Sequence, residues 1–188
     1  MYLFPYIKYL TETRNWRGHG IHSPFAFDLA HNIMPEKNPY FAFDRLRKKA
    51  GKQTKSEQKR RELLFRLLNN VPAARNLLVV GGSEADAMYL AAVNTQAVCV
   101  SALQKALRQF PTLDFVYFDK TTEKEIAECL QHINRETIFA FSDTYTQNAQ
   151  NWAFISRQPQ VRLSIRTFRL GLVYFNTDIQ KGNYTLLY

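Results

Sequence analysis

The chain has 188 residues, a hydrophobic content of 46% and a formal net charge of +9. These values indicate one globular domain with room for a small appendage, and they exclude an intrinsically disordered chain. No apolar run approaches the roughly 20 residues that a membrane helix needs, and the first residues do not have the pattern of a signal peptide. We therefore expect a cytoplasmic protein with no membrane partner.

The first seventy residues are expected to be helical. In HSPFAFDLAHNIM, Ser23 is the expected N-cap and Pro24 occupies the first helical position. A second helix is expected from about Tyr40, and a third over SEQKRRELLFRLLNN, with Ser56 as its cap. The buried stripe of the third helix consists of three leucines, Leu64, Leu67 and Leu68.

From Leu77 onwards the pattern changes to short apolar runs, namely LLVV, AVCV, LDFVYF and TIFAF. Helical stretches separate them, at about 84–93, 102–110 and 122–132. This alternation indicates a parallel sheet covered by helices on both faces. Near the end, VRLSIRTF and LGLVYF are joined by a short turn, which predicts an antiparallel hairpin, and YTLLY follows after a second turn region.

Most of the net charge lies between Arg45 and Arg61, a segment with one Glu and nine basic residues. These are Arg45, Arg47, Lys48, Lys49, Lys52, Lys55, Lys59, Arg60 and Arg61. Such a segment could bind nucleic acid or another anionic surface. It could also be no more than a solvated helical face, because no aromatic residue is interleaved for stacking on bases.

Five segments, spread along nearly the whole chain, resemble the sequence of a known family. They are GHGIHSPFAFDL, ELLFRLLNN, LLVVGGSEADAMYLA, LDFVYFD and NWAFISRQPQVRLSIRTFRLGLVYF. Together they resemble class I S-adenosylmethionine-dependent methyltransferases, specifically a small bacterial group with a helical N-terminal extension. The resemblance implies that the third segment is the strand, glycine turn and helix of the cofactor site. If the cofactor binds, its contacts would be Gly81, Gly82, Ser83 and Ser101.

The cofactor motif nevertheless departs from the family pattern. Val79 holds the place of the usual acid, and the second close-approach glycine is absent. Glu84 and Asp86 lie in the first helical turn, where they suit the helix dipole but would repel the cofactor's carboxylate. Ser101 stands at the end of the next strand, where an acid commonly binds the ribose. These changes predict weak or absent binding of S-adenosylmethionine.

A deletion accompanies these changes. Only residues 102–112 separate AVCVS from LDFVYF, which leaves room for one short helix and no strand. The family has a strand and two helices there, so its third strand is expected to be missing. The predicted fold is α/β: a reduced Rossmann-like methyltransferase sheet in the order 2-1-4-5 of the family's numbering, followed by the hairpin. We expect a helical extension over 1–70 and the methyltransferase-like domain over 71–188.

Two carboxylates are weak candidates for catalysis. Asp119 ends FVYFD, where related enzymes can bind a metal or the substrate, but a role as N-cap of the following helix is favoured. Asp143 matches the second of two acids that the family often has after its fifth strand. Ser142 replaces the first, so no metal site is expected there.

The remaining metal-ligating and nucleophilic side chains form no convincing pattern. His19 and His22 have a spacing that can hold a metal, but no third ligand is evident near them. Cys99 and Cys129 match no metal or redox spacing and are expected to be buried, reduced thiols.

Three hypotheses about function follow from the sequence. The first is a degenerate methyltransferase relative with little or no cofactor binding, acting as a binding or structural module, on its own or within a homo- or hetero-oligomer. The second is an active S-adenosylmethionine-dependent methyltransferase of unknown substrate. The third is a nucleic-acid-binding protein that uses the basic segment 45–61.

Overall fold

The computed structural model describes residues 3–13, 20–36, 38 and 40–188. The α-helices of this part are α1 (Leu3–Glu12), α2 (Pro24–Asp28), α3 (Phe41–Ala50), α4 (Lys55–Asn69), α5 (Glu84–Ala91), α6 (Leu103–Gln109), α7 (Glu123–Cys129) and α8 (Ala149–Ile155). A π-helical turn over Leu29–Ile33 continues α2, and a 3-10 turn over Leu130–His132 continues α7. No helix in the described ranges is both long enough and apolar enough to cross a membrane.

The strands are β1 (Asn76–Val80), β2 (Val98–Val100), β3 (Leu113–Phe118), β4 (Ile133–Ser142), β5 (Leu163–Arg166), β6 (Leu170–Tyr174) and β7 (Gly182–Thr185). They form one sheet in the order β2-β1-β3-β4-β6-β5-β7. The first four are parallel and match the predicted order, and β5 and β6 form the predicted antiparallel hairpin. The strand β7 pairs parallel to β5 at the edge of the sheet.

The connection from β2 to β3 consists of α6 and short loops, as the length of the segment 102–112 predicts. Because β3 pairs with β1 on the side opposite β2, this short connection carries the chain across β1. In the described part of the sheet β2 is therefore an edge strand. The loss of the family's third strand between β2 and β3 stays a prediction.

Local signals set the beginnings of the N-terminal helices. The Ser23 hydroxyl accepts a hydrogen bond from the Ala26 N–H, so Ser23 is the N-cap of α2, as predicted. The prediction that Ser56 caps α4 is wrong. Thr54 is the N-cap, because its side chain and that of Glu57 form a reciprocal pair of hydrogen bonds with each other's backbone N–H.

The sheet has a hydrophobic cluster on each face. Residues of β1 and β3 alternate between the two, because successive side chains of a strand point to opposite faces. One cluster contains Leu77, Val79, Phe115 and Tyr117 together with four leucines of α4, Leu63, Leu64, Leu67 and Leu68. The other contains Leu78, Val80, Val116 and Phe118 with residues of α6, α7 and α8. Helix α4 thus packs directly on the sheet, and the division of the chain at residue 70 stays a prediction.

Candidate functional site

The turn after β1 approaches the backbone of a neighbouring loop. Gly81 has a φ of 64°, in the left-handed region that favours glycine. A Cβ atom on Gly81 would lie 1.8 Å from the carbonyl oxygen of Lys120, in the loop between β3 and α7. The Asp119 N–H donates to the carbonyl of Val80 at 2.9 Å, which extends the β1–β3 pairing into these loops. The absence of a side chain at Gly81 therefore allows the backbone of the same chain, at Lys120, to come close to this turn.

Gly82 lies in an equally crowded place. A Cβ atom there would lie 2.6 Å from Cγ1 of Val79 and 3.4 Å from Oδ2 of Asp86. Both predicted cofactor-binding glycines are therefore required by the packing of the turn itself.

Side chains of Ser83 and Asp86 cap the start of α5. The Ser83 hydroxyl accepts from the Asp86 N–H, and the Asp86 carboxylate accepts from the Ser83 N–H at 2.8 Å and from its hydroxyl at 2.7 Å. Asp86 is buried and places a negative charge at the positive end of the helix dipole. Two N–H groups of this helix start are thus already bonded to protein acceptors.

Arg61 of α4 reaches this helix start from the N-terminal part of the chain. It is only 6% exposed, and its Nε lies 2.9 Å from Oδ1 of Asp86. Its Nη2 donates to the Ser83 hydroxyl at 3.2 Å, and its Nη1 donates to the Gln53 side chain at 2.8 Å. Ser83, which the resemblance assigns to the cofactor, is bonded to protein partners.

Arg60, the preceding residue, reaches the carboxyl ends of β3 and β4. Its side chain is buried, and its Nη1 lies 3.3 Å from Oδ2 of Asp143. Its Nη2 lies 3.9 Å from Oδ1 of Asp119, which also accepts a hydrogen bond from the Ser142 hydroxyl at 2.5 Å. The structure thus brings the two carboxylates singled out by the sequence together around one guanidinium.

Burial by itself lowers the pKa of the Arg60 guanidinium. The acidic side chains around it outweigh burial and leave its pKa above the usual value; they are Tyr117, Asp86, Asp119 and Asp143. Arg60 therefore stays charged at any physiological pH. Asp119 and Asp143 therefore both face a fixed positive charge.

The favoured role of Asp119 as a helix cap is wrong. Thr122 is the N-cap of α7, because its hydroxyl accepts from the Glu125 N–H while the Glu125 carboxylate accepts from the Thr122 N–H. The sequence TTEKE contains this capping box, whose short local geometry leaves Asp119 outside the helix.

Asp143 has a φ of 43°, which is uncommon for a residue other than glycine. Its backbone carbonyl accepts from the N–H groups of Thr146 and Asn148, and its carboxylate also pairs with Arg169 at 3.1 Å. The loop after β4 thus fixes this carboxylate between two arginines.

Ser101, the predicted ribose contact, follows β2, which pairs with β1 on the side opposite β3. It directly follows Val100, whose register partner on β1 is Leu78, and it is exposed. Ser101 stays a predicted cofactor contact, at the end of the edge strand.

The basic segment divides into two groups. Six of its residues are exposed and have no carboxylate within 4 Å in the described ranges: Arg45, Lys48, Lys49, Lys52, Lys55 and Lys59. The other three are arginines with internal partners. Arg60 and Arg61 are bound as described, and Arg47 pairs with Glu62 at 2.7 Å.

A cavity of about 540 Å³ lies between α4, the end of the π-helical turn and the turn of the β5–β6 hairpin. Its apolar lining includes Met34, Pro35, Phe43, Leu63, Leu170 and Tyr188. Its basic lining consists of Arg47, Lys59, Arg60, Arg66 and Arg169, and its acidic lining of Glu36 and Glu62. The described lining includes none of the predicted cofactor contacts.

Sequence reasoning missed this cavity and the inward position of Arg60 and Arg61. A signal for the arginines was present, because Arg61 precedes Leu64 by three residues and Leu68 by seven. That spacing places it on the buried face of the helix. For the cavity no comparable signal exists, since its walls come from segments far apart in the chain.

Within the described ranges, no three His, Cys, Asp or Glu side chains are grouped so that they could hold a metal ion. His22 is exposed. His19 lies outside the described residues with the rest of the segment 14–19, so the expectation that His19 and His22 hold no metal is not tested.

Comparison with known proteins found similarity in structure alone. No protein-family model and no curated protein matches the sequence. Among solved structures, a candidate caffeoyl-CoA O-methyltransferase from Staphylococcus aureus is 10% identical, with 73% of this chain and 93% of that chain covered and a TM-score of 0.51. The O-methyltransferase from Bacillus cereus in complex with SAH is 12% identical, with 78% and 96% covered and a TM-score of 0.47.

A third structure is the release-factor-specific protein-(glutamine-N5) methyltransferase from Alicyclobacillus acidocaldarius, 13% identical, with 66% and 94% covered and a TM-score of 0.46. At such identities a likeness establishes the fold and nothing further, and the Staphylococcus aureus structure carries that conclusion. The predicted resemblance and the predicted α/β fold class are confirmed to that extent: the chain has the fold of the class I S-adenosylmethionine-dependent methyltransferases.

Proposed function

We propose that this chain is a methyltransferase-like binding module that holds S-adenosylmethionine weakly or not at all. The observation that carries the proposal is the position of Arg60 and Arg61. Open α/β sheets bind ligands outside the carboxyl ends of their strands, at the point where the strand order reverses. Here that point lies between β1 and β3, and the two arginines lie over the ends of β1, β3 and β4.

A ligand at this place would have to displace groups that are already paired. Breaking a buried ion pair by removing one partner typically costs about 3–5 kcal/mol. That cost corresponds to more than about a hundredfold in affinity. The close approach of Gly81 to the Lys120 backbone adds a second obstacle, because it brings the loops that follow β1 and β3 together.

The negative charges near the start of α5 also disfavour binding of S-adenosylmethionine. The positive end of this helix dipole already faces the buried carboxylate of Asp86, and Glu84 is exposed beside it. The carboxylate of a bound S-adenosylmethionine would add a further negative charge there. The residues around the turn therefore fit this cofactor poorly.

Isothermal titration of the protein with S-adenosylmethionine and with S-adenosylhomocysteine tests the proposal. We expect no saturable heat at millimolar ligand and no rise in melting temperature. Ligand at about a hundred times its Kd would stabilise the folded state by about 2.7 kcal/mol, so the melting temperature is an independent check. Stoichiometric binding with a micromolar Kd would contradict the proposal and favour an active methyltransferase with Gly81, Gly82, Ser83 and Ser101 as cofactor contacts.

The six exposed cations of the basic segment support a second candidate function, binding to nucleic acid. They lie on and between α3 and α4 and no carboxylate neutralises them in the described ranges. Fluorescence anisotropy with a short single-stranded RNA at several salt concentrations tests it. Replacing Lys48, Lys49 and Lys52 by alanine should weaken binding and flatten its salt dependence.

The matched control for this second candidate replaces three exposed lysines elsewhere, Lys105, Lys124 and Lys181. It removes the same charge from other surfaces. Equal weakening by both triple variants would show non-specific attraction to a basic protein, and absence of binding at low salt would remove this candidate.

A further inference from the structure

The cavity between α4 and the hairpin contains a buried guanidinium that forms no ion pair with the described residues. Arg66 lines the cavity and is only 6% exposed. Its Nη2 donates to the Tyr188 hydroxyl at 3.0 Å and to the Met34 carbonyl at 3.4 Å. Its Nε has no hydrogen-bond partner among the described residues. Among the described residues, the Arg66 guanidinium thus donates hydrogen bonds to two uncharged oxygens.

No carboxylate lies within 4 Å of Arg66 in the described ranges, whereas Arg47, Arg60 and Arg169 in the same lining each have one. The residues outside those ranges include no Asp or Glu, so they cannot supply the missing charge. A buried cation without an anionic partner is costly, and proteins usually pair such groups. An anion from outside the chain would supply the missing counter-charge of Arg66.

The rest of the lining limits what that anion can be. Six of the lining residues present apolar surface, and a cavity of about 540 Å³ is in the range that holds small organic ligands. Five cations and two carboxylates line it, but the cations other than Arg66 and Lys59 already have carboxylate partners. Glu36 and Glu62 would repel a doubly charged group more strongly than a singly charged one.

We propose that this cavity binds a small organic carboxylate with an apolar body, the carboxylate resting on Arg66 and the body against Met34, Phe43 and Leu170. A carboxylate can accept two parallel hydrogen bonds from a guanidinium, and such charge-assisted bonds are stronger than neutral ones. Lys59, an exposed residue of the lining, attracts anions towards the cavity. The proposal does not depend on whether S-adenosylmethionine binds, since none of its predicted contacts is in the described lining.

The test is isothermal titration of the whole protein with naphthalene-2-carboxylate, a singly charged aromatic acid. The neutral naphthalene-2-carboxamide has the same shape and serves as the ligand control. We expect saturable one-to-one binding of the acid and at least about tenfold weaker binding of the amide. Equal affinities, or no binding of the acid at millimolar concentration, would overturn the proposal.

A matched pair of protein variants locates the site. Arg66→Met keeps an unbranched side chain in the cavity and removes the charge, whereas Arg108→Met removes an exposed arginine of α6. We expect Arg66→Met to weaken binding of the acid by about tenfold or more while Arg108→Met leaves it unchanged. Unchanged binding by Arg66→Met would place the acid elsewhere and overturn the proposal.

A measurement on the unmodified protein covers the case in which Arg66→Met does not fold. The Nε–H groups of arginines give resolvable ¹⁵N signals, and the Arg66 signal can be assigned from its absence in Arg66→Lys. We expect this signal to shift as naphthalene-2-carboxylate is added, and a signal that stays in place at saturation would contradict the proposal. Naphthalen-2-yl phosphate completes the series, and tighter binding of this dianion than of the carboxylate would also contradict it.

Discussion

The Nε of Arg61 lies 2.9 Å from Oδ1 of Asp86, and both side chains are buried. The pair joins α4, in the N-terminal part of the chain, to the turn that follows β1. Arg60 makes a parallel connection from the same helix to the ends of β3 and β4. Two consecutive arginines thus occupy the polar edge of the sheet, where proteins of this architecture usually hold a ligand.

Asp86→Asn should destabilise the protein strongly, because it leaves the Arg61 charge buried without a counterion. We expect a loss of about 3–5 kcal/mol in the free energy of unfolding, measured in urea. The control is Asp178→Asn, which breaks the exposed pair with Arg135 and should cost at most about 1 kcal/mol. Similar losses for both variants would mean that the Arg61–Asp86 pair is not buried in solution.

Gly81→Ala and Gly51→Ala separate a conformational effect from a packing effect. Both glycines have a positive φ, but a Cβ on Gly51 would meet nothing within 4 Å, whereas on Gly81 it would overlap the Lys120 carbonyl. We expect Gly51→Ala to lose the conformational cost alone, about 1–3 kcal/mol, and Gly81→Ala to lose clearly more. Equal melting temperatures would show that the turn and the loop after β3 are separated in solution, leaving space for a ligand.

Thr54→Ala should lower the free energy of unfolding by about 1 kcal/mol, because it removes the N-cap of α4. Ser56→Ala is the control and should change it by less than about 0.5 kcal/mol. Hydrogen bonds from the Thr54 backbone N–H and from its hydroxyl lower the pKa of Glu57, so the stabilisation is present above the usual Glu pKa and is lost as the pH falls through the lowered value. Thr54→Ala keeps the N–H and removes the hydroxyl's share, so the difference between wild type and Thr54→Ala should shrink in acid. A pH-independent difference would contradict the capping box.

The two thiols should be unreactive near neutral pH. Burial raises the pKa of Cys99 to about 11, and burial together with nearby Glu side chains raises that of Cys129 to about 12. Alkylation by iodoacetamide at pH 8, followed by mass spectrometry, should therefore be slow for the folded protein and fast in urea. Rapid modification of the folded protein at pH 8 would show that the thiols are accessible.

The same raised pKa values have a consequence for stability at high pH. A neutral thiol is favoured in the folded state, so its contribution is complete below the unfolded pKa of about 8.5. It is lost as the pH rises through about 11 and 12. We expect the urea midpoint to fall between pH 9 and pH 11, and Cys99→Ala with Cys129→Ala should reduce that fall.

Much of the fold could be predicted because its signals are local. Ser23 and Pro24 define the start of α2, and the apolar runs define the strands. The cap of α4 was also readable, since the sequence TKSE contains the capping-box spacing from Thr54 to Glu57. Ser56 was the weaker choice, because no Glu or Gln follows it at the third position.

The candidate site was less predictable because its contacts are non-local. Asp119 and Asp143 were recognised as candidates, but their partner Arg60 lies far earlier in the chain, in a segment whose charge suggests a solvated surface. Charge alone does not tell a buried guanidinium from an exposed one. The same limit applies to Arg66, since its isolation depends on where every carboxylate of the fold lies.

Helix α4 has consequences for how the chain could be shortened. Its leucines cover one face of the sheet, and its arginines neutralise carboxylates at the end of three strands. A fragment beginning at residue 71 would keep every described strand but would lose the leucines that cover the sheet and the arginines that neutralise its carboxylates. We expect such a fragment to aggregate rather than form a minimal domain. Helix α4 would then be needed for the sheet to fold, although it precedes the part of the chain that contains the strands.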